Sequence, residues 1–209
     1  MSGFRLFVKR GFDIVISLVG IIALSPFFII IGVVVALGSK GGILFRQVRV
    51  GRFGREFKIL KFRTMVSGAE KKGLSITVGE DTRITGVGRF LRKFKLDELP
   101  QLFNVLAGDM SFVGPRPEVP YYVALYSDVQ RKVLDIRPGM TDYASIYFRN
   151  ESEILAECEN PEQEYIEKIM PLKIKYNMKY IDNINIFVDI KIVFLTAWVV
   201  LGGKVGPKL

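Results

Sequence analysis

Hydrophobic and polar positions are spread very unevenly along the chain. Ile14 to Leu37 is a run of 24 residues without a charge, and its only hydroxyls are Ser17 and Ser25. As a helix the run measures about 36 Å at about 1.5 Å per residue, enough to cross a hydrocarbon core of about 30 Å. Pro26 falls near its centre. Proline removes one backbone hydrogen bond and crowds the preceding turn, so a kink is expected there. Ser25 is placed to cap a backbone group freed by Pro26, where hydrocarbon offers no water to do so. Cations flank both ends: Arg5, Lys9 and Arg10 before the run, and Lys40, Arg46, Arg49, Arg52 and Arg55 after it. Lys/Arg excess marks the cytoplasmic side of a membrane, and here both ends carry it. A cleaved signal peptide fits poorly, because the run is too long for such a segment and Asp13 abuts it. Composition leaves a straight span and a hairpin that enters and leaves on one side evenly matched.

The rest of the chain reads as a compact domain. Ile43–Val50 and Glu56–Met65 are rich in Phe, Val and Ile and are bracketed by Gly41-Gly42 and the Gly51–Gly54 turn, which predicts a short antiparallel hairpin. Period two puts Lys61 and Arg63 on one face, as a solvated strand surface or a phosphate site. Val87, Phe90, Leu91 and Phe94 fall at helical spacing, with Arg89, Arg92, Lys93 and Lys95 between and beside them. A basic amphipathic helix beside a membrane segment is expected on an anionic lipid surface. Nucleic acid is the weaker reading, since no nucleic-acid motif accompanies it. Ile192–Leu201 is too short to span, and with Trp198 it reads as a core helix by default or as an interfacial one. Residues 150–171 are acidic, with a helix restart at Asn160-Pro161, and are expected to form a solvated face.

Charge and composition narrow the chemistry. The net charge is +9, and residues 1–100 carry +11 while the remainder carries −2. A basic N-terminal half calls for an anionic partner such as lipid headgroups, nucleic acid or a phosphorylated substrate. The chain has no histidine, which excludes Ser-His and Cys-His nucleophile pairs and histidine-ligated metals. Cys158 is the only cysteine, so internal disulfides and iron–sulfur clusters are excluded as well. Covalent or acid–base work falls to carboxylates, Lys, Tyr, Ser/Thr or a metal held by oxygen.

One string carries two adjacent carboxylates: Leu96-Asp97-Glu98-Leu99-Pro100-Gln101-Leu102. Its ordinary reading is a helix start with Asp97 as N-cap. Its chemical reading is a carboxylate with a depressed pKa, ionised near arginines, that attacks phosphorus. Arg116, between Pro115 and Pro117, sits on stiff backbone suited to a bidentate phosphate contact, and Arg137 in Arg137-Pro138-Gly139 and Arg149 repeat the theme.

Taken together, these strings resemble the bacterial sugar transferase family of small monotopic phosphoglycosyl transferases. The resemblance rests on Lys9-Arg10 with Asp13, Ser25-Pro26, Gln47-x-Arg49-x-Gly51, Lys61-Phe62-Arg63-Thr64-Met65, the Asp97-Glu98 string, Gly108-Asp109-Met110-Ser111 with Gly114-Pro115-Arg116-Pro117, and Arg137-Pro138-Gly139. They run in order over nearly the whole chain. The resemblance implies a mainly helical α+β fold: a re-entrant membrane helix-break-helix over residues 1–40, broken at Ser25-Pro26, and a cytoplasmic membrane-associated catalytic domain over 41–209. It thereby selects the hairpin, which composition left open. The implied location is the bacterial inner membrane, with the site facing the cytoplasm.

The implied reaction moves a sugar 1-phosphate from a UDP-sugar to polyprenol (undecaprenyl) phosphate and releases UMP, starting glycan assembly. By the family pattern Asp97 is the nucleophile and forms a covalent phosphosugar intermediate, with Mg²⁺ held by Asp97 and Glu98. Glu98 would also handle protons. Lys61, Arg63, Arg116, Arg137 and Arg149 would hold phosphates or nucleotide, and Asp189 matches an acidic position of the family. Membrane lipid is an expected partner, nucleic acid is not, and a homodimer stays open. Two departures concern the pocket. Asp142-Tyr143-Ala144-Ser145 stands where many members have Gly-Leu-Ala-Gln, and Asn177 stands where many have an acid. A glycosyltransferase that releases UDP, and a non-catalytic basic membrane adaptor, are the alternatives.

Overall fold

The computed structural model describes residues 3–38, 41–69 and 76–205; Lys40, one of the flanking cations, lies outside them. Helix α1 runs unbroken from Gly3 to Gly38, with Pro26 inside it. The expected pair of helices separated at Ser25-Pro26 is therefore replaced by one continuous element. The local chemistry explains the continuity. Pro26 has no N–H to give to the Ile22 carbonyl four residues back, and the Ser25 hydroxyl donates to that carbonyl at 2.8 Å.

α1 presents a single stripe to the rest of the protein. Asp13, Ser17, Ile31, Gly32 and Val35 are buried, while Val15, Val19, Ile22, Phe27, Ile29 and Ile30 are exposed. Both ends of α1 meet the same domain: Lys9 ion-pairs with Asp189 at 2.5 Å, and Val35 packs with Phe62 and Leu91. Asp13 accepts from the Ser111 hydroxyl at 3.1 Å and from the Phe112 N–H at 3.0 Å.

Strands β1 (Leu44–Val50) and β2 (Glu56–Phe62) form the expected antiparallel hairpin, with Gln47 opposite Ile59. Helix α2 (Gly86–Lys93) is capped by Thr85, whose hydroxyl accepts the Gly88 N–H at 2.9 Å. Gly88 lets the helix approach closely, since a Cβ there would sit 2.0 Å from the Thr64 carbonyl oxygen. A single turn of 3-10 helix (Leu96–Glu98) then leads into α3 (Gln101–Ala107). α3 packs against α1, and its Asn104 side chain pins β2 by accepting the Leu60 N–H at 2.9 Å and donating to Lys58 O at 2.9 Å.

A second, parallel pair joins β3 (Ser111–Val113) and β4 (Gly139–Thr141). Gly139 makes the pairing possible, because a Cβ there would lie 2.1 Å from the Gly114 nitrogen. Between them lie the short helices α4 (Pro120–Ala124) and α5 (Asp128–Arg131). After β4 come α6 (Tyr143–Tyr147), α7 (Glu151–Ala156), α8 (Pro161–Glu164), a π-helical turn (Tyr165–Ile169), α9 (Met170–Asp182) and α10 (Ile186–Val200). The largest core cluster gathers Val50, Tyr122, Val133, Leu155, Tyr165, Met170 and Ile174, which joins the hairpin to α4 and α9.

α10 takes the core role with one face and leaves an apolar face exposed. Asp189, Ile192 and Val199 are buried, whereas Phe187, Phe194, Trp198 and Leu201 are each at least 60% exposed. An exposed stripe of that size on a helix next to α1 suits a membrane interface. The acidic stretch is only partly a solvated face, for Leu155 and Tyr165 within it are fully buried.

Candidate functional site

The two adjacent carboxylates sit on a strained approach. α2 ends at Phe94, and Lys95 follows in the left-handed region at φ 56°, ψ 21°, a place usually taken by glycine. The reversal turns Leu96–Glu98 inward, so Asp97 and Glu98 are only 5% and 8% exposed. α3 begins at Gln101 with Pro100 as its N-cap, and no side chain caps it. The capping role expected for Asp97 is thus not realised: the 3-10 turn puts its carboxylate out of reach of the α3 amides. Instead Asp97 Oδ1 is buried without a hydrogen-bond partner.

Glu98 is the opposite case. Lys61 Nζ donates to Oε1 at 3.1 Å, Arg116 Nη1 donates to Oε2 at 3.1 Å, and Arg116 Nη2 closes a second short bond to Oε1. Burial alone would raise the Glu98 pKa, but Arg116 and Lys61 outweigh it and hold the carboxyl well below its usual range. Burial pushes Asp97 the other way, above the usual carboxylate range, against the pull of Lys61, and the Glu98 charge adds to the rise. The depressed pKa expected at Asp97 therefore belongs to its neighbour, because the cations bond Glu98. Lys61, largely buried, is pushed down by that burial to about 8 even though Glu98 pulls it up.

Asp142 supports the arginine. It is fully buried, accepts the Arg116 backbone N–H at 3.1 Å, and caps α6 by accepting the Ser145 N–H at 2.6 Å. It is one of the positions at which the sequence departs from the family pattern, and its structural task had no signal in the sequence beyond an Asp before a helix.

These groups open into a cavity of about 1060 Å³, at the large end of small-molecule sites, which run to about 1,000 Å³. Eleven Lys and Arg side chains line it against five Asp and Glu, which makes it a site for anions. Lys61, Arg63, Asp97, Glu98, Arg116 and Arg149 all lie on it, and Arg149 also donates to the Val199 carbonyl of α10. α2 turns part of its basic face inward: Arg92 Nε donates to the Thr64 hydroxyl at 2.9 Å. On another side Val193, Ala197 and Val200 of α10 give the cavity an apolar wall.

Two expected site residues are elsewhere. Arg137 does not line the cavity; its Nε donates to the Gly108 carbonyl at 2.8 Å, closing the end of α3. Asp189 is also off the cavity, buried between Lys9 Nζ at 2.5 Å and the Tyr180 hydroxyl at 2.7 Å, where it fastens α1 to α10. Conversely, the cavity recruits Glu118, Tyr122, Tyr165 and Lys173, which no spacing rule marked, together with Arg49 of the Gln47-x-Arg49-x-Gly51 string.

Among the described residues no three metal-ligating side chains form a cluster. The donor set still fits a Mg²⁺ ion of the kind held by one or two carboxylates together with substrate phosphates and water. The free oxygen is Asp97 Oδ1, whereas both Glu98 oxygens are taken by Arg116 and Lys61.

The sequence matches the bacterial sugar transferase family over residues 4–203. It is 35% identical over 208 residues to a UDP-N-acetylgalactosamine-undecaprenyl-phosphate N-acetylgalactosaminephosphotransferase of Aeromonas hydrophila, covering 94% of this chain and 44% of that protein. It is 38% identical over 202 residues to a UDP-glucose:undecaprenyl-phosphate glucose-1-phosphate transferase of Klebsiella pneumoniae, covering 95% of this chain and 41% of the relative. A shorter relative, the uncharacterized sugar transferase EpsL of Bacillus subtilis, is 36% identical over 194 residues, or 93% of this chain and 87% of its own. The chain thus spans less than half the length of the first two and most of the third. A paired-carboxylate, arginine-lined cavity beside an apolar helix and a match over nearly the whole sequence agree: the chain belongs to the bacterial sugar transferase family.

Proposed function

We propose that the protein transfers a sugar 1-phosphate from a UDP-sugar to undecaprenyl phosphate at the cytoplasmic face of the bacterial inner membrane. The observation that carries this reading is the unpartnered, buried carboxylate oxygen of Asp97 beside a Glu98 already saturated by Lys61 and Arg116. A nucleophile must keep a lone pair free, and Asp97 does.

In this mechanism the donor diphosphate enters the cationic cavity and is held by Lys61, Arg116 and Arg149. Bound Mg²⁺ would supply charge neutralisation at the diphosphate, with Asp97 as the protein ligand. The Asp97 carboxylate attacks the sugar-bearing phosphorus, the bond from that phosphorus to the bridging oxygen breaks, and UMP leaves. An oxygen of undecaprenyl phosphate then attacks the same phosphorus, the acyl–phosphate bond breaks, and Asp97 is regenerated. Arg116 and Lys61 keep Glu98 ionised and fixed, so the positive field at the phosphates is set before the substrate arrives.

The lipid would approach along the apolar wall of α10, whose outer face exposes Phe194 and Trp198. We read both ends of α1 as lying on one side of the bilayer, with the continuous helix bending at Pro26, where the backbone hydrogen bond to Ile22 is missing. Both of its ends contact the same domain, at Lys9–Asp189 and Val35–Leu91, and cations flank both ends of its apolar run. Cysteine labels at residues 3 and 41 should react from one face of sealed vesicles; labelling from opposite faces would contradict this reading.

The reaction is tested with UDP-sugars and undecaprenyl phosphate in detergent or nanodiscs. UMP should be released and the Asp97→Asn variant should be inactive. Release of UDP would instead mark a glycosyltransferase.

A further inference from the structure

Away from Asp97 the same cavity carries a second polar cluster that the transfer chemistry does not use. Tyr165 stands at the start of the π-helical turn and is 1% exposed. Its hydroxyl donates to Glu118 Oε1 at 2.5 Å and lies 3.3 Å from Lys173 Nζ. Lys173 also donates to Glu151 Oε2 at 2.8 Å, and its ammonium stands 5.0 Å from the Tyr165 ring centroid. The Tyr122 ring packs against Tyr165 with centroids 4.9 Å apart. Arg49 Nη1 reaches Glu118 at 3.7 Å. All six side chains line the cavity that holds Asp97.

We propose that this cluster is the subsite for a neutral, hydroxyl-bearing ring of the nucleotide-sugar donor.

The charge pattern separates the two ends of the cavity. At the dyad, Lys61, Arg92, Lys95 and Arg116 outnumber Asp97 and Glu98, as a diphosphate requires. At the second cluster Arg49 and Lys173 are balanced by Glu118 and Glu151, so an anion gains nothing there. What remains is a set of fixed donors and acceptors beside the packed Tyr122 and Tyr165 rings, which suits a ring with adjacent hydroxyls. Lys173 has three N–H donors, and two are spent on Glu151 and Tyr165. The Tyr165 hydroxyl spends its single O–H on Glu118, so what it offers a ligand hydroxyl is a lone pair, and burial, with Glu118 adding to it, keeps it a neutral phenol. The π-helical turn is the device that presents it: an extra residue in a helix between α8 and α9 is a local distortion frequently found at functional sites. Arg49 links the ends. Glu118 ties it to the ring subsite, its own charge is felt by Lys61, and an anchor to the Pro117 carbonyl at 3.0 Å holds it beside Arg116.

The inference rests on the transferase reading, and its test uses binding so that the two can fail separately. Full-length protein in nanodiscs is titrated calorimetrically with UDP-N-acetylgalactosamine, UDP-glucose and UDP, as wild type, Tyr165→Phe and Glu151→Gln. Both variants should bind the UDP-sugars about tenfold more weakly, as expected for one lost hydrogen bond to a ligand. If UDP binding is unchanged, the ring is the transferred sugar; if UDP weakens equally, it is the ribose. Wild-type affinity in both variants would overturn the subsite and leave the transferase reading intact. Failure of the wild type to bind any of the three compounds would overturn both. Glu151 is only partly buried, so Glu151→Gln carries the test even where Tyr165→Phe unfolds.

Discussion

Arg116 grips both carboxylate oxygens of Glu98, while Asp97, one residue earlier, is left with a buried oxygen that bonds to nothing. Two neighbouring acids in one short turn therefore have opposite electrostatic environments. Arg116 and Lys61 stabilise the charge on Glu98, and burial destabilises the charge on Asp97.

That contrast predicts opposite effects on stability. Asp97→Asn removes a buried charge that lacks hydrogen bonds at one oxygen, so it should abolish transfer yet raise Tm by about 2–4 °C, the equivalent of about 1 kcal/mol. Glu98→Gln leaves Arg116 and Lys61 facing each other without a counter-charge and should cost about 3–5 kcal/mol. Thermal unfolding of the two variants side by side checks this. A lower Tm for Asp97→Asn than for Glu98→Gln would refute it.

Lys61 sets a pH limit. Its pKa is pushed down to about 8, so donor affinity should fall as pH rises through that value and the ammonium loses its proton. Stability should move in the other direction. Between about 8 and the ordinary lysine value the unfolded chain binds more protons at this site than the folded one, so this group makes the fold more stable as pH rises. Lys61→Arg, which keeps its charge, should abolish the fall in affinity; a pH–affinity profile of both proteins measures it.

Asp142 should matter through Arg116. Asp142→Ala frees the Arg116 backbone N–H and uncaps α6, with a stability cost of about 0.5–2 kcal/mol for the cap. Donor KM should rise more than kcat falls, because the lost contact positions a binding arginine. Asp142→Asn should recover part of the affinity, since its amide oxygen still accepts one of the two bonds. Equal KM values for all three proteins would contradict the positioning role.

Arg137 and Arg116 should separate cleanly. Arg137→Ala removes a bond to the Gly108 carbonyl and should lower Tm by a few degrees, about 1 kcal/mol, with donor KM unchanged. Arg116→Ala should raise KM by at least tenfold. Steady-state kinetics on the two variants test whether the three turn arginines act alike, as their sequence setting suggested, or differ as their partners do.

The apolar run, the hairpin and the basic helix were legible because each repeats its period over seven or more residues. Asn160 announced its cap. β3 and β4 were not legible: three-residue strands carry too little alternation, and their pairing depends on Gly114 and Gly139 meeting closely across the chain. Within the site, Asp97, Glu98, Lys61 and Arg116 were found by motif and are brought together. Arg137 and Asp189 lie off the cavity, and an Arg beside a turn, or an Asp in the first turn of a helix, looks the same in sequence whether it meets a substrate or another part of the fold. Tyr165 and Lys173 were invisible for a related reason: they sit in an acidic helical stretch and the helix after it, and only the π-helical turn and the fold of α9 aim them into the cavity.

The nucleophilic role of Asp97 is tested most directly by the intact mass of the protein after mixing with a UDP-sugar and Mg²⁺ without lipid acceptor. The account predicts a gain equal to one sugar phosphate, located to the peptide containing Asp97, lost on adding undecaprenyl phosphate and absent from Asp97→Asn. UMP release that occurs only with the lipid present, with no adduct at any time, would contradict it.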